Sequence, residues 1–198
     1  MSRALACLLV LVFSAAVVVR AQESAKVESA AKFVKVDDKT AGNWKGVYGA
    51  DGAVLNADGN NPPAYAKFAA PGSQDFTWAD TTDDTRALRK AAKDAADRLA
   101  ACWYSSDPWD IDINLTDGKE HQVAIYCLDW DSAERAMTVE VQNADTGTKL
   151  DSHEMKEYHD GKYMVWNLKG HVKLHFTNTA GVNAAVSGVF FDSVAKAK

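Results

Sequence analysis

The stretch 110–131, DIDINLTDGKEHQVAIYCLDWD, constrains the fold more than any other part of the chain, because two runs of alternating apolar and polar residues flank a polar Thr-Asp-Gly-Lys turn. In the first run Ile111, Ile113 and Leu115 fall on one face while Asp110, Asp112 and Asn114 fall on the other. That period of two is the mark of a half-buried antiparallel strand. Val123, Ile125 and Cys127 repeat it in the return run, so the segment reads as a β-hairpin.

The same pattern continues toward the C-terminus. Further strands are predicted around 101–105, 138–142, 149–154, 163–168, 172–177 and 186–191, and Phe76 and Trp78 mark a shorter one. Asp145-Thr146-Gly147 and Lys169-Gly170 offer two more hairpin turns. Short strands joined by turn signals predict an all-β antiparallel sandwich. One helix is expected within residues 82–96, TDDTRALRKAAKDAA: Thr82 suits an N-cap, Asp83 and Asp84 suit the first turn, and Ala, Arg and Lys follow. Its apolar face is thin, which places it on the surface as a connection. No internal repeat and no glycine-rich phosphate loop is present.

The N-terminus has the three parts of a secretory signal: Arg3, an apolar run broken only by Ser14, and small residues before a cut after Ala21. An exported protein, periplasmic or extracellular, is therefore expected, with no membrane span once residues 1–21 are removed. Residues 22–41 read as an N-terminal leader or short strand, weakly ordered at its start, and 42–198 as a single β-sandwich domain. Cleavage of 21 of the 198 residues removes Arg3 and Arg20 and no acid, so 20 basic residues face 27 acidic ones in the remaining 177. An acidic chain without a basic cluster excludes nucleic acid as a partner class. Cys102 and Cys127 are the two cysteines left after cleavage, and they are either a disulfide of the exported protein or a pair of buried thiols.

Chemistry is signalled more faintly. Asp129 and Asp131 lie two apart at a strand end, a spacing that suits a carboxylate pair, but the same acids serve equally to cap a turn or to pair with Arg135. Asp51, Asp58, Asn60, Asn61, Asp129 and Asp131 are hard oxygen donors in loops, so a structural calcium is the one ion considered, although no EF-hand spacing exists. His171 and His175 are four apart, which in a strand separates them by about 13 Å and prevents a shared metal. No local nucleophile motif appears, and no catalysis is expected.

The six tryptophans, at 44, 78, 103, 109, 130 and 166, are the better lead, because sugar rings stack on aromatic faces. Trp44 and Tyr48 lie in a glycine-punctuated loop and Trp109 follows Ser-Ser-Asp-Pro, so these three are expected to be exposed; Trp130 stands between two acids. Trp78, Trp103 and Trp166 are expected to fill the core.

Taken in order, GNWKGVYGADG (42–52), AACWYSS (100–106), DINLTDGKEHQVAIYCLDWDS (112–132) and NTAGVNAAVSGVFFD (178–192) resemble bacterial extracellular β-sandwich modules similar to galactose-binding-like and carbohydrate-binding domains. The resemblance spans nearly all of the chain after the signal. It implies a jelly-roll-like sandwich and a non-catalytic role in binding carbohydrate or another cell-envelope component. The helix-like stretch 90–97 is longer than the connection this family implies, and a stand-alone domain without an enzyme module is expected. The ligand candidates are Trp44, Tyr48, Asp51, Trp109, Asp129, Trp130 and Asp131. The other expectation is a structural or protein-interaction domain of the envelope, with the aromatics in the core and no sugar ligand.

Overall fold

The computed structural model describes residues 27–194; the expected signal peptide lies outside the described residues. Fifteen strands run β1 (Ala30–Asp37), β2 (Gly52–Leu55), β3 (Gly59–Asn61), β4 (Ala66–Ala69), β5 (Gln74–Thr82), β6 (Leu88–Arg89), β7 (Arg98–Ser105), β8 (Trp109–Leu115), β9 (Glu120–Cys127), β10 (Ala136–Asn143), β11 (Lys149–Lys156), β12 (Lys162–Lys169), β13 (His171–Ala180), β14 (Ala184–Val186) and β15 (Gly188–Ser193). Every pairing between these strands is antiparallel. They form a six-stranded sheet, β1-β12-β9-β15-β2-β3, a five-stranded sheet, β11-β10-β13-β8-β4, and a smaller sheet, β14-β7-β5, with β6 also on β7. The all-β, sandwich-like architecture predicted from the period of two is present.

The segment 110–131 is not a hairpin. β8 pairs with β13 and β4 in one sheet, whereas β9 pairs with β12 and β15 in the other. The Thr-Asp-Gly-Lys turn, with Gly118 at φ 71°, is therefore an arch between layers. Ile111, Ile113 and Leu115 meet Val123, Ile125 and Cys127 in one fully buried cluster that also takes in Val139, Trp166, Leu174 and Phe176. Two strands that each bury one face satisfy their pattern by facing each other as well as by lying side by side. Gly170, at φ 74°, makes a second arch from β12 to β13, where a hairpin was expected; an added Cβ there would lie 3.0 Å from Ser29. Only Asp145-Thr146-Gly147 closes the expected hairpin, pairing β10 with β11.

Strand β9 is buried on both faces. Its Ala124 and Tyr126 enter a second cluster with Trp44, Tyr48, Leu88, Tyr163 and Phe190 on the outer side of the six-stranded sheet. The glycine-rich loop before β2 is the cover: Asp192 accepts from the Gly49 and Ala50 amides at 2.9 and 2.7 Å, and Asp37 accepts from the Tyr48 hydroxyl at 2.6 Å. The segment read as a leader or short strand contains β1, which pairs along its length with β12.

The expected surface helix is absent; among the described residues there is no helix at all. Thr82 does accept a hydrogen bond from the Asp84 amide at 3.2 Å, and Asp84 accepts from the Arg86 amide at 2.9 Å, but these bonds close a turn. Leu88 then pairs opposite Leu99 and is buried, which a helix with a single large apolar residue does not achieve. The disulfide is also absent: Cys102 on β7 and Cys127 on β9 are buried free thiols in different sheets. Among the described residues no helix is long and apolar enough to cross a membrane.

Candidate functional site

A concavity of about 220 Å³ opens beside the smaller sheet, between strand β5 and the loops that follow β9 and β13. Phe76 and Trp78, two residues apart on β5, supply one wall, and Tyr104 on β7 supplies another. β5 is an edge strand, and its register with β7 slips at Trp78, so that Thr77 and Ala79 face the consecutive residues Ala101 and Ala100. Such a bulge re-aims the extra residue. Phe76 shares a plane with neither neighbour: it meets Trp78 at 76° and Tyr104 at 85°. Phe76 is 47% exposed and Val182, on the opposite lip, 68%. Cys102 closes the floor; burial pushes its thiol up, so it is neutral.

Arg135 organises the polar side. It is buried, and its guanidinium lies 5.8 Å from the Trp78 ring centre. Nη1 donates to both Asp129 and Asp131, and Nε donates to Asn183 Oδ1 at 2.8 Å. Asp129, itself buried, accepts from the Ser132 hydroxyl at 2.8 Å and from the Arg135 amide at 3.1 Å, closing the loop 129–135 on itself. Burial alone would raise the Asp129 carboxyl, but the hydrogen bonds from Arg135 and Ser132 and the Arg135 charge outweigh it and hold it below the usual carboxylate range. Asp131 is affected the same way: burial raises it, and Arg135, with a smaller contribution from the Trp78 side chain, brings it down. Asp131 remains half exposed at the rim.

Of the ligand candidates named from sequence, only Asp131 lines this concavity, with Asp129 directly behind it. Trp109 is buried and stacked on Phe176 at 4.5 Å, contrary to the exposure expected of it. Trp44 and Tyr48 are likewise buried: the Trp44 indole donates to the Arg89 carbonyl at 2.7 Å, and the Tyr48 ring stacks on Tyr163 at 4.5 Å. Trp130 is partly buried, and the Arg86 guanidinium covers its ring at 4.7 Å. Asp51 sits in a separate polar cleft, accepting from Tyr65 at 2.9 Å and Ser193 at 3.0 Å. The loop acids do not converge, and among the described residues no group of three or more His, Cys, Asp or Glu is placed to hold a metal ion.

Phe76, Trp78, Tyr104, Arg135 and Asn183 are absent from that sequence-derived set. A signal for two of them does exist. Gln74–Thr82 reads QDFTWADTT, and a strand whose only large apolar residues are two aromatics on one face, with polar residues around them, lacks the content of a core strand. Arg135 and Asn183 carry no such mark, because their role depends on two loops 48 residues apart meeting.

The chain matches no family model, no curated protein and no solved structure.

Proposed function

We propose that this chain is an exported, non-catalytic module that binds carbohydrate at the concavity of Phe76, Trp78 and Tyr104. The observation that carries the reading is that three partly exposed aromatic rings surround an ion pair, Asp131–Arg135, whose buried partner is fixed from behind by Asp129. Aromatic walls with a few fixed polar groups are what a polyhydroxylated ring requires, apolar C–H faces against the rings and hydroxyls against the polar side. The acids support binding over hydrolysis: a glycosidase needs one carboxyl raised to donate a proton, and both of these are held low.

The jelly-roll-like, galactose-binding-like fold belongs to the same proposal. It is supported by the way consecutive strands cross between layers, β8 to β9, β9 to β10, β11 to β12 and β12 to β13, around one core. Calorimetric titration of soluble glycans into the protein tests the function. Binding of one glycan class, weakened roughly tenfold or more by Trp78→Ala, supports it; binding unchanged by Trp78→Ala and Phe76→Ala, or none at all, refutes it.

One observation favours a second reading, a protein-interaction domain of the envelope. β1 is an edge strand, and Val34 and Val36 are 44% and 45% exposed on it. An open edge with apolar residues accepts an added strand. A partner that is lost on Val36→Lys, with no glycan binding, would decide for this reading.

A further inference from the structure

We infer that the concavity takes a single neutral sugar ring, the terminal unit of a glycan, and grips two adjacent hydroxyls between Arg135 Nη2 and the Asp131 carboxylate. The inference rests on the carbohydrate reading and deepens it.

The number of rings follows from shape. Successive sugars along a flat chain stack on rings that share a plane, and here Phe76 stands at 76° to Trp78 and 85° to Tyr104. The 220 Å³ concavity is also smaller than the roughly 300–1,000 Å³ that encloses a drug-sized ligand. Phe76 therefore shares a plane with neither neighbouring ring, and a concavity of this size has room for about one sugar ring.

The pair of hydroxyls follows from counting donors and acceptors. Arg135 spends Nε on Asn183 and Nη1 on Asp129 and Asp131, while Nη2 has no partner among the described residues although the side chain is only 4% exposed. Arg135 lines the concavity, and Nη2 is its one guanidinium nitrogen without a hydrogen bond to the described residues, which makes it the donor on offer to a ligand there. Asp131 is half exposed, and a carboxylate accepts up to about four hydrogen bonds. A donor and an acceptor side by side, bridged by their own ion pair, match a vicinal diol in which one hydroxyl accepts from Nη2 and its neighbour donates to the carboxylate.

Neutrality follows from charge. Asp129 and Asp131 outnumber Arg135, which leaves the cluster one net negative charge, and no lysine lines the concavity to offset it. A uronate would bring a second uncompensated carboxylate into a partly dry site.

The test titrates the full-length protein, by ligand-observed NMR, with glucose, galactose, mannose and xylose, their oligomers of two to six units, and the corresponding uronates. The expected result is that one neutral monosaccharide binds within about threefold of its longer oligomers, that its uronate does not bind, and that Asp131→Ala lowers its affinity about tenfold or more, as for loss of a charged hydrogen bond. Deoxygenation of either hydroxyl of the gripped pair should give a similar loss in wild type and little further loss in Asp131→Ala for the hydroxyl that faces it. Affinity that climbs steadily with oligomer length would overturn the single-ring inference while leaving carbohydrate binding intact. Uronate binding equal to that of the neutral sugar would overturn the charge argument in the same way. Absence of binding to every glycan would overturn both this inference and the reading beneath it. Thermal unfolding of Asp131→Ala, expected to match wild type because the side chain is at the rim, separates lost contact from lost fold.

Discussion

Asp129 is 1% exposed and carries the loop that presents Asp131 and Arg135. Removing one member of a buried ion pair leaves the other uncompensated, so Asp129→Asn should cost about 3–5 kcal/mol in chemical denaturation. Because the folded protein holds this carboxyl below its ordinary value, its contribution is complete above the unfolded pKa, about 3.9, and disappears as pH falls through the folded one. The gap between wild type and Asp129→Asn should therefore narrow below about pH 4; a constant gap down to pH 2 would refute the assignment. Gly161 makes a second demand at this scale. It lies at φ 80°, and an added Cβ would fall 1.7 Å from the Tyr126 hydroxyl, which donates to the Arg86 carbonyl at 2.6 Å. Gly161→Ala should cost roughly 1–3 kcal/mol by overpacking, and Tyr126→Phe in the same background should recover part of that loss. Half of this polar cluster was legible beforehand: Asp131 and Arg135 are close in sequence and of opposite charge. That Asp129 would be the buried member was not, because loop closure by Ser132 leaves no trace in spacing.

At the level of elements, most strands were legible but, apart from the β10–β11 hairpin, their partners were not. A period of two is a local property, and β8, β10, β12, β13 and β15 all lie where alternation or apolar runs place them. Whether two consecutive strands pair or face each other depends on where their buried faces meet, and the Thr-Asp-Gly-Lys turn accommodates both. Residues 82–96 show the opposite error, with correct local chemistry serving a different element. The bond from the Asp84 amide to Thr82 exists, yet only Leu88 and small alanines were available for an apolar stripe, and burying Leu88 opposite Leu99 in a strand wins. Leu88→Ala should accordingly cost about 2–5 kcal/mol, a core penalty, where a surface helix would lose far less. Far-UV circular dichroism should show a β spectrum without the 222 nm shoulder of a helix. The aromatic site was missed for a related reason: size predicts burial for Trp78 on average, and only the polar company of β5 argues otherwise.

For the molecule as a whole, Cys102 and Cys127 belong to separate sheets, one beneath the floor of the concavity and the other in the main core, and burial raises both thiols. Both should resist alkylation until the protein is unfolded, as read by peptide mapping, and a reducing agent should leave the melting temperature unchanged. A drop in that temperature on reduction would establish a bond between them. The sheet order carries a different consequence. β15, residues 188–193, lies between β9 and β2, so β2 and β3 join the large sheet only through a strand that comes late in the chain. Phe190 and Phe191 also point to opposite sides of that sheet, one into each buried cluster. A polypeptide made from its N-terminus has neither cluster complete until residues 188–193 are available. Long-range pairings of this kind close slowly. The order of strands thus leaves both faces of the large sheet unsealed until the segment that carries Phe190 and Phe191 is in place.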